Sequence, residues 1–277
     1  MKTVLKLILL YIAFQYLGTL AVLPFVMGIQ FATTGTLDET LVVQQAIIPG
    51  LAVTLLFTVW YLWKAGYLTG DGRLYSPLSA GYLGWTVLLG AGAILLLDAL
   101  TSVLSFLPDW LEASFSYMQS SWAGILLVAF VGPVVEELFF RGGILRVLLR
   151  TCRRPWVAIV VSGLVFGLIH MNPAQVVFAS FAGILLGWLY WRTRSLIPCM
   201  VVHVLNNSFS VWLTLRYPEA DSLQQVMGGG SYTVCLAVAA VAFALALWAL
   251  LRRPAAGAER VWENNSTANT TDNNKAL

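Results

Sequence analysis

Six side chains in this sequence could do chemistry together, and each sits where a side chain of its type is expensive. Glu136, Glu137 and Arg141 lie in the stretch VVEELFFRGGILRVLLR, residues 134–150, which is otherwise apolar. The chain's two histidines, His170 and His203, and the amide of Asn207 also fall in apolar runs. A charge at the centre of a membrane helix costs roughly 2.5 to 3.5 kcal/mol. Three charges facing lipid would cost about 7 to 10 kcal/mol, so the group must face a protein interior or a wet cavity. The spacing repeats: Glu137 and Arg141, Phe166 and His170, and His203 and Asn207 are each four residues apart, which places each pair on one helical face.

These residue types suit a particular chemistry. A buried carboxylate can be tuned by desolvation or by a neighbouring arginine to act as a general base near neutral pH. A neutral histidine beside it can share the proton or orient a water, and His203 with Asn207 could donate hydrogen bonds to an oxyanion. Glu136, His170 and His203 also meet the three-ligand requirement of a catalytic zinc site. The sequence holds no Gly-x-Ser-x-Gly, no phosphate loop and no HExxH. Hydrolysis by an activated water fits this inventory best. Plainer readings compete with it. Glu137 and Arg141 can be a buried ion pair that holds helices together. A histidine or asparagine in a membrane helix is often an interhelical hydrogen bonder. Phe139, Phe140, Phe166 and Trp188 read as packing, with the lining of a hydrophobic substrate groove as the alternative for some of them. Independent helix glue loses force, however, because the expensive residues share three helices and a similar depth.

The elements that must position these residues follow from hydropathy. Of 277 residues, 59% are hydrophobic and 10% charged, where soluble domains carry about 25% charged residues. An integral membrane protein is expected, all-α and polytopic, with no sign of a nucleic-acid partner. Uncharged runs at 7–37, 40–63, 74–97, 113–135, 155–191, 195–215 and 222–251 each exceed the roughly 20 residues needed to cross a bilayer. The run 155–191 is long enough for two crossings, with Met171-Asn172-Pro173 as the turn between them. Eight transmembrane helices around an intramembrane catalytic cavity result. With the N-terminus cytoplasmic, every Lys and Arg except Arg216 falls on the cytoplasmic side, as the positive-inside rule asks. Both termini are thus expected in the cytoplasm. The expected organisation is an eight-helix domain over 1–253, its catalytic core over 121–215, and a disordered cytoplasmic tail over 254–277. The first span is read as retained rather than as a signal peptide. Asp98 is expected to be an interfacial charge at the end of the third span. The helix carrying Glu136 is expected to begin near Ser121, with a flexible or close-packed point at Gly142-Gly143. Cys152, Cys199 and Cys235 read as packing residues. If the interface lies near Arg146 and Val160, Glu136 and His170 are each about 15 Å deep, and His203 about 12 Å past Ser195. That depth would let them converge on one cavity opening to the cytoplasm.

The three motifs Glu136-Glu137-x-x-x-Arg141, Phe166-x-x-x-His170 and His203-x-x-x-Asn207 stand in the order of the EExxxR, FxxxH and HxxxN pattern of the CPBP family. These are the CAAX prenyl proteases and bacteriocin-processing enzymes, also called the Abi family. Each motif is weak alone and the three together are specific; the resemblance covers about 131–209. It implies an intramembrane endopeptidase, a hydrolase of glutamate or metallo type. In that reading Glu136 and His170 activate the water, His203 and Asn207 stabilise the oxyanion, and Glu137 and Arg141 support the site. It also implies a peptide or protein substrate, for which lipidation or membrane embedding is an open alternative, and leaves zinc open as a cofactor. A bacterial plasma membrane is the expected location. The alternative is a non-catalytic scaffold or immunity-like protein that binds a partner through the same cavity. A proton-coupled transporter is a third reading, disfavoured because no internal repeat relates the two halves.

Overall fold

The computed structural model describes residues 2–68, 74–76, 78–220 and 222–253. The tail expected over 254–277 lies outside them. The described residues are all-α, in ten helices: α1 (Lys2–Thr34), α2 (Glu39–Lys64), α3 (Ala80–Val103), a short α4 (Glu112–Gln119), a long broken helix α5 (Trp122–Thr151), α6 (Pro155–Leu168), α7 (Pro173–Thr193), α8 (Ile197–Arg216), a short α9 (Leu223–Met227) and α10 (Gly229–Arg252). Their starts are written in the sequence. Asp38, Ser79 and Ser121 accept from the backbone N–H groups of Leu41, Tyr82 and Gly124 at 3.0, 3.1 and 3.1 Å, as N-caps do. Proline occupies the first turn of α6, α7 and α8, where its missing N–H costs nothing.

Six helices, α1, α2, α3, α5, α7 and α10, are long and apolar enough to cross a membrane, and the protein is an integral membrane protein. The two further crossings expected from sequence are helical but fall outside that set. α6 has 14 residues, about 21 Å at 1.5 Å per residue, short of the ~30 Å hydrocarbon core. α8 has 20 residues but carries His203, Asn206 and Asn207, along with Ser208 and Ser210.

α6 ends before His170, which differs from the expectation that the histidine sits on the helix. Ile169 caps the helix and His170 opens the turn, its N–H bonded to the Gly167 carbonyl at 3.2 Å. Met171 follows in the left-handed region at φ 49°. Pro173 explains the early stop, because it fixes the start of α7 and pushes Asn172 out of helical geometry.

Three helix pairs organise the bundle: α1 with α2, α3 with α10, and α6 with α7. The last is the tightest at the site, because small residues let the backbones meet. A Cβ at Gly163 would lie 2.7 Å from the Ile184 nitrogen, and one at Gly183 would lie 2.9 Å from the Gly163 Cα. α8 packs against α3, α5 and α7, and Gly90 of α3 makes room for Val202 beside His203. α10 is tied down at both ends: Arg192 of α7 donates to the Leu251 carbonyl at 2.8 Å, and the Tyr232 hydroxyl donates to Asp98 at 3.1 Å. Asp98 therefore lies inside α3, which continues to Val103, rather than at its end.

Candidate active site

α5 is the element on which the site is built, and it is not a uniform helix. Two wide π-helical stretches, Leu127–Val131 and Phe140–Leu145, flank the α-helical segment Gly132–Phe139 that carries both glutamates. Such π turns appear often at functional sites, because they re-aim the side chains that follow and loosen the backbone ladder. The first stretch offers its Val128 carbonyl to the Asn207 side chain, which donates to it at 2.9 Å. The second contains Arg141 and the glycines of the expected Gly142-Gly143 point. These turn out to be close-packed: a Cβ at Gly142 would sit 3.4 Å from Leu74, and one at Gly143 would sit 3.8 Å from Leu7.

The two adjacent carboxylates have different environments. Glu137 is fully buried, and its Oε1 accepts from Arg141 Nη1 at 2.8 Å and from His203 Nδ1 at 2.8 Å. Glu136 keeps 22% of its side chain accessible, and its Oε2 lies 3.7 Å from His203 Nε2, beyond hydrogen-bond reach. One carboxylate is therefore locked into the scaffold while the other is open to a reactant. Arg141 is held on three sides. Besides Glu137, it donates from Nη2 to the Gly183 carbonyl at 3.1 Å, and its guanidinium lies 4.5 Å from the centre of the Phe166 ring, a cation–π contact.

Phe166 is the hub. Its ring meets His170 edge-on at 5.0 Å, His203 edge-on at 5.6 Å and Phe140 edge-on at 4.9 Å. Both histidines thus pack against the ring over which the Arg141 guanidinium also lies. The hydrogen bonds decide which ring nitrogens are free. His170 Nδ1 lies 2.8 Å from the Phe166 carbonyl, which can only accept, so Nδ1 carries the proton and a neutral ring keeps its lone pair on Nε2. His203 donates Nδ1–H to the Glu137 carboxylate, leaving Nε2 toward Glu136.

The structure brings Glu136, Glu137, Arg141 and His203 into direct contact, and joins His170 to them through Phe166. Asn207 is one turn beyond His203, oriented by the Val128 carbonyl and by Asn206, which donates to its Oδ1 at 3.1 Å. Among the described residues, no three His, Cys, Asp or Glu side chains gather as metal ligands.

Sequence reasoning missed three participants. The Gly183 carbonyl serves Arg141; the spacing of Gly163, Gly167, Ser180 and Gly183 was the available signal, since small residues mark close helix approach. Tyr11 of α1 packs 4.8 Å from Phe139 and 5.4 Å from Phe140, beside the helix that carries the glutamates. Asn172, read only as part of a turn, is fully buried and bonded to a distant loop. Of the three cysteines, all free, only Cys199 is buried, and it donates to the Leu186 carbonyl at 3.2 Å.

Comparison with known proteins bears on the same segment. Residues 118–209 match the family described as Type II CAAX prenyl endopeptidase Rce1-like, which bears out the CPBP resemblance over a stretch containing all three motifs. The protein YdiL of Bacillus subtilis (strain 168), whose name proposes a membrane peptidase, is 28% identical over 124 residues, 43% of this chain. The match spans half the length of that relative. No solved structure matches.

Proposed function

We propose, from the premise that residues 118–209 form an Rce1-like segment, that this protein is a membrane endopeptidase using Glu136 and His170 to activate a water. The observation that carries the reading is the split between the glutamates: Glu137 is locked by Arg141 and His203, whereas Glu136 stays accessible beside His203 Nε2. Glu136 takes a proton from water as the oxygen adds to the scissile carbonyl carbon, and His170 Nε2 accepts the water's other hydrogen in a hydrogen bond that aims it. His203 can donate from Nε2 to the developing oxyanion when its ring carries a proton on each nitrogen, while Glu137 holds its Nδ1–H. That division of labour resembles the orienting carboxylate of a catalytic triad. The second N–H of the Asn207 amide is a further donor for the same oxygen. Glu136 then delivers its proton to the leaving nitrogen, the C–N bond breaks, and a carboxylic acid and an amine result, the acid passing its remaining proton to the amine to leave carboxylate and ammonium.

The substrate class proposed with it is a peptide carrying a prenylated cysteine near its C-terminus, suggested by the description of the matched family as a CAAX prenyl endopeptidase, with a farnesylated peptide as the probe. The scaffold alternative gains nothing from the comparisons, since both matched names are those of peptidases. The eight helical passes with both ends cytoplasmic belong to the same proposal and rest on the charge asymmetry. In that topology the turn after α6 lies at the outer end of the bundle. The shortness of α6 keeps His170 within the hydrocarbon depth.

The test is cleavage in 18O-labelled water of a farnesylated fluorescence-quenched peptide by the purified full chain. The wild type should place one 18O in the new carboxylate. Glu136→Gln and His170→Ala should each cut cleavage by about 10²-fold or more while remaining inserted and folded. Full activity in either variant sinks the assignment.

A further inference from the structure

His170 stands in a turn, not on a helix, so something other than helical hydrogen bonds must fix its direction. Asn172 is the N-cap of α7, and an N-cap asparagine ordinarily turns its side chain back onto its own helix. Here it makes no such bond. Its side chain, fully buried, is given to the loop between α3 and α4. Asn172 Oδ1 accepts from the Trp110 N–H at 3.0 Å, and its Nδ2 donates to Asp109 Oδ1 at 2.9 Å. The same Asp109 oxygen accepts from the Leu111 N–H at 2.9 Å, so the loop is folded around the contact. A backbone bond from the Ala174 N–H to the Pro108 carbonyl at 3.3 Å closes the other side. Between this latch and His170 stands a single residue, Met171, at φ 49°. A left-handed conformation at a side chain of this size persists only where its surroundings impose it.

We infer that the Asp109–Asn172 latch is a positioning device: it clamps the turn after α6 to the loop 108–111 and so fixes the ring of His170 against Phe166 with Nε2 free. Neither residue touches the reacting atoms. They act through His170, and the inference rests on the peptidase reading for its consequence in catalysis but not for its geometry. Asp109 is exposed, so changing it does not disturb the core. Asp109→Asn keeps an oxygen acceptor at the same place; Asp109→Ala removes it; Asn172→Asp sets carboxylate against carboxylate.

The chain has only two histidines, so a histidine-labelled sample of the full chain in detergent gives two assignable imidazoles. Nitrogen chemical shifts should show neutral His170 as the Nδ1–H tautomer in the wild type and in Asp109→Asn. Asp109→Ala and Asn172→Asp should average the two nitrogens of His170 and leave those of His203 unchanged. On the farnesylated peptide, kcat should fall on the order of tenfold to a hundredfold in both disrupting variants with KM unchanged, since small misplacement of a catalytic group costs about that much. It should recover in Asp109→Asn. Residual turnover of His170→Ala should drop no further when Asp109→Ala is added, as expected for two groups acting as one unit. An unmoved His170 signal in both disrupting variants, an equal disturbance of His203, or an undiminished kcat overturns the inference. A wild type that cleaves no peptide defeats the peptidase reading instead, and the imidazole spectra still decide the latch.

Discussion

Glu136 and Glu137 are neighbours in sequence and opposite in circumstance, and the difference predicts how their substitutions behave. Glu137 is buried and shares one oxygen between Arg141 and His203, so removing a partner strands a charge in the interior. Arg141→Leu should cost about 3 to 5 kcal/mol, read as a lower midpoint of thermal unfolding in detergent together with lost activity. Glu136 is partly accessible, and Glu136→Gln should leave the unfolding midpoint near wild type. If the two variants lose stability equally, the division into a support carboxylate and a working one is wrong. The residues of this group were legible in sequence because charge in an apolar run is costly, and cost demands a reason. Phe166 was legible as a motif position before His170, but not as the ring around which the other groups gather. A phenylalanine four residues before a histidine looks like core, and only tertiary structure lays Arg141, His170 and His203 around one ring.

Among the elements, the α6–α7 hairpin carries the most consequence for the site. Its close approach exposes the Gly183 carbonyl to Arg141 and seats Phe166. Gly183→Ala would press its Cβ to 2.9 Å from the Gly163 Cα and 3.0 Å from Phe166, and the hairpin must open to accept it. The expected result is a lower unfolding midpoint and reduced turnover, overpacking costing about 1 to 3 kcal/mol. Gly28→Ala in α1 is the control. Its Cβ meets nothing within 4 Å, and replacing a mid-helix glycine should stabilise by roughly 0.5 to 1 kcal/mol. Hydropathy located the six helices of membrane length and the helical segments of α6 and α8, and caps and prolines marked many of their starts. The interruptions were hidden: the π turns of α5 change the number of residues per turn without changing composition. The early end of α6 comes from Pro173, five residues beyond the last helical position, and it removed the helical depth argument for His170.

At the scale of the molecule, the topology decides which end of the bundle each loop occupies. α1, α2 and α3 put residues 35–38 and 104–111 at one end, and α5 with α6 puts 152–154 at the other. Single cysteines introduced at Asp38, Asp109 and Arg153 in a cysteine-free chain should label accordingly in intact cells. Those at 38 and 109 should react with an impermeant maleimide, and the one at 153 should react only after lysis. Labelling at 153 in intact cells contradicts cytoplasmic termini. The account depends most on Glu136, because every other role is defined relative to the water it activates. The most direct measurement is therefore the ratio of kcat/KM for wild type and Glu136→Gln on the farnesylated peptide, at matched unfolding midpoints. General-base catalysis predicts a loss of about 10² to 10⁴-fold. A Glu136→Gln protein that cleaves at the wild-type rate would contradict the account.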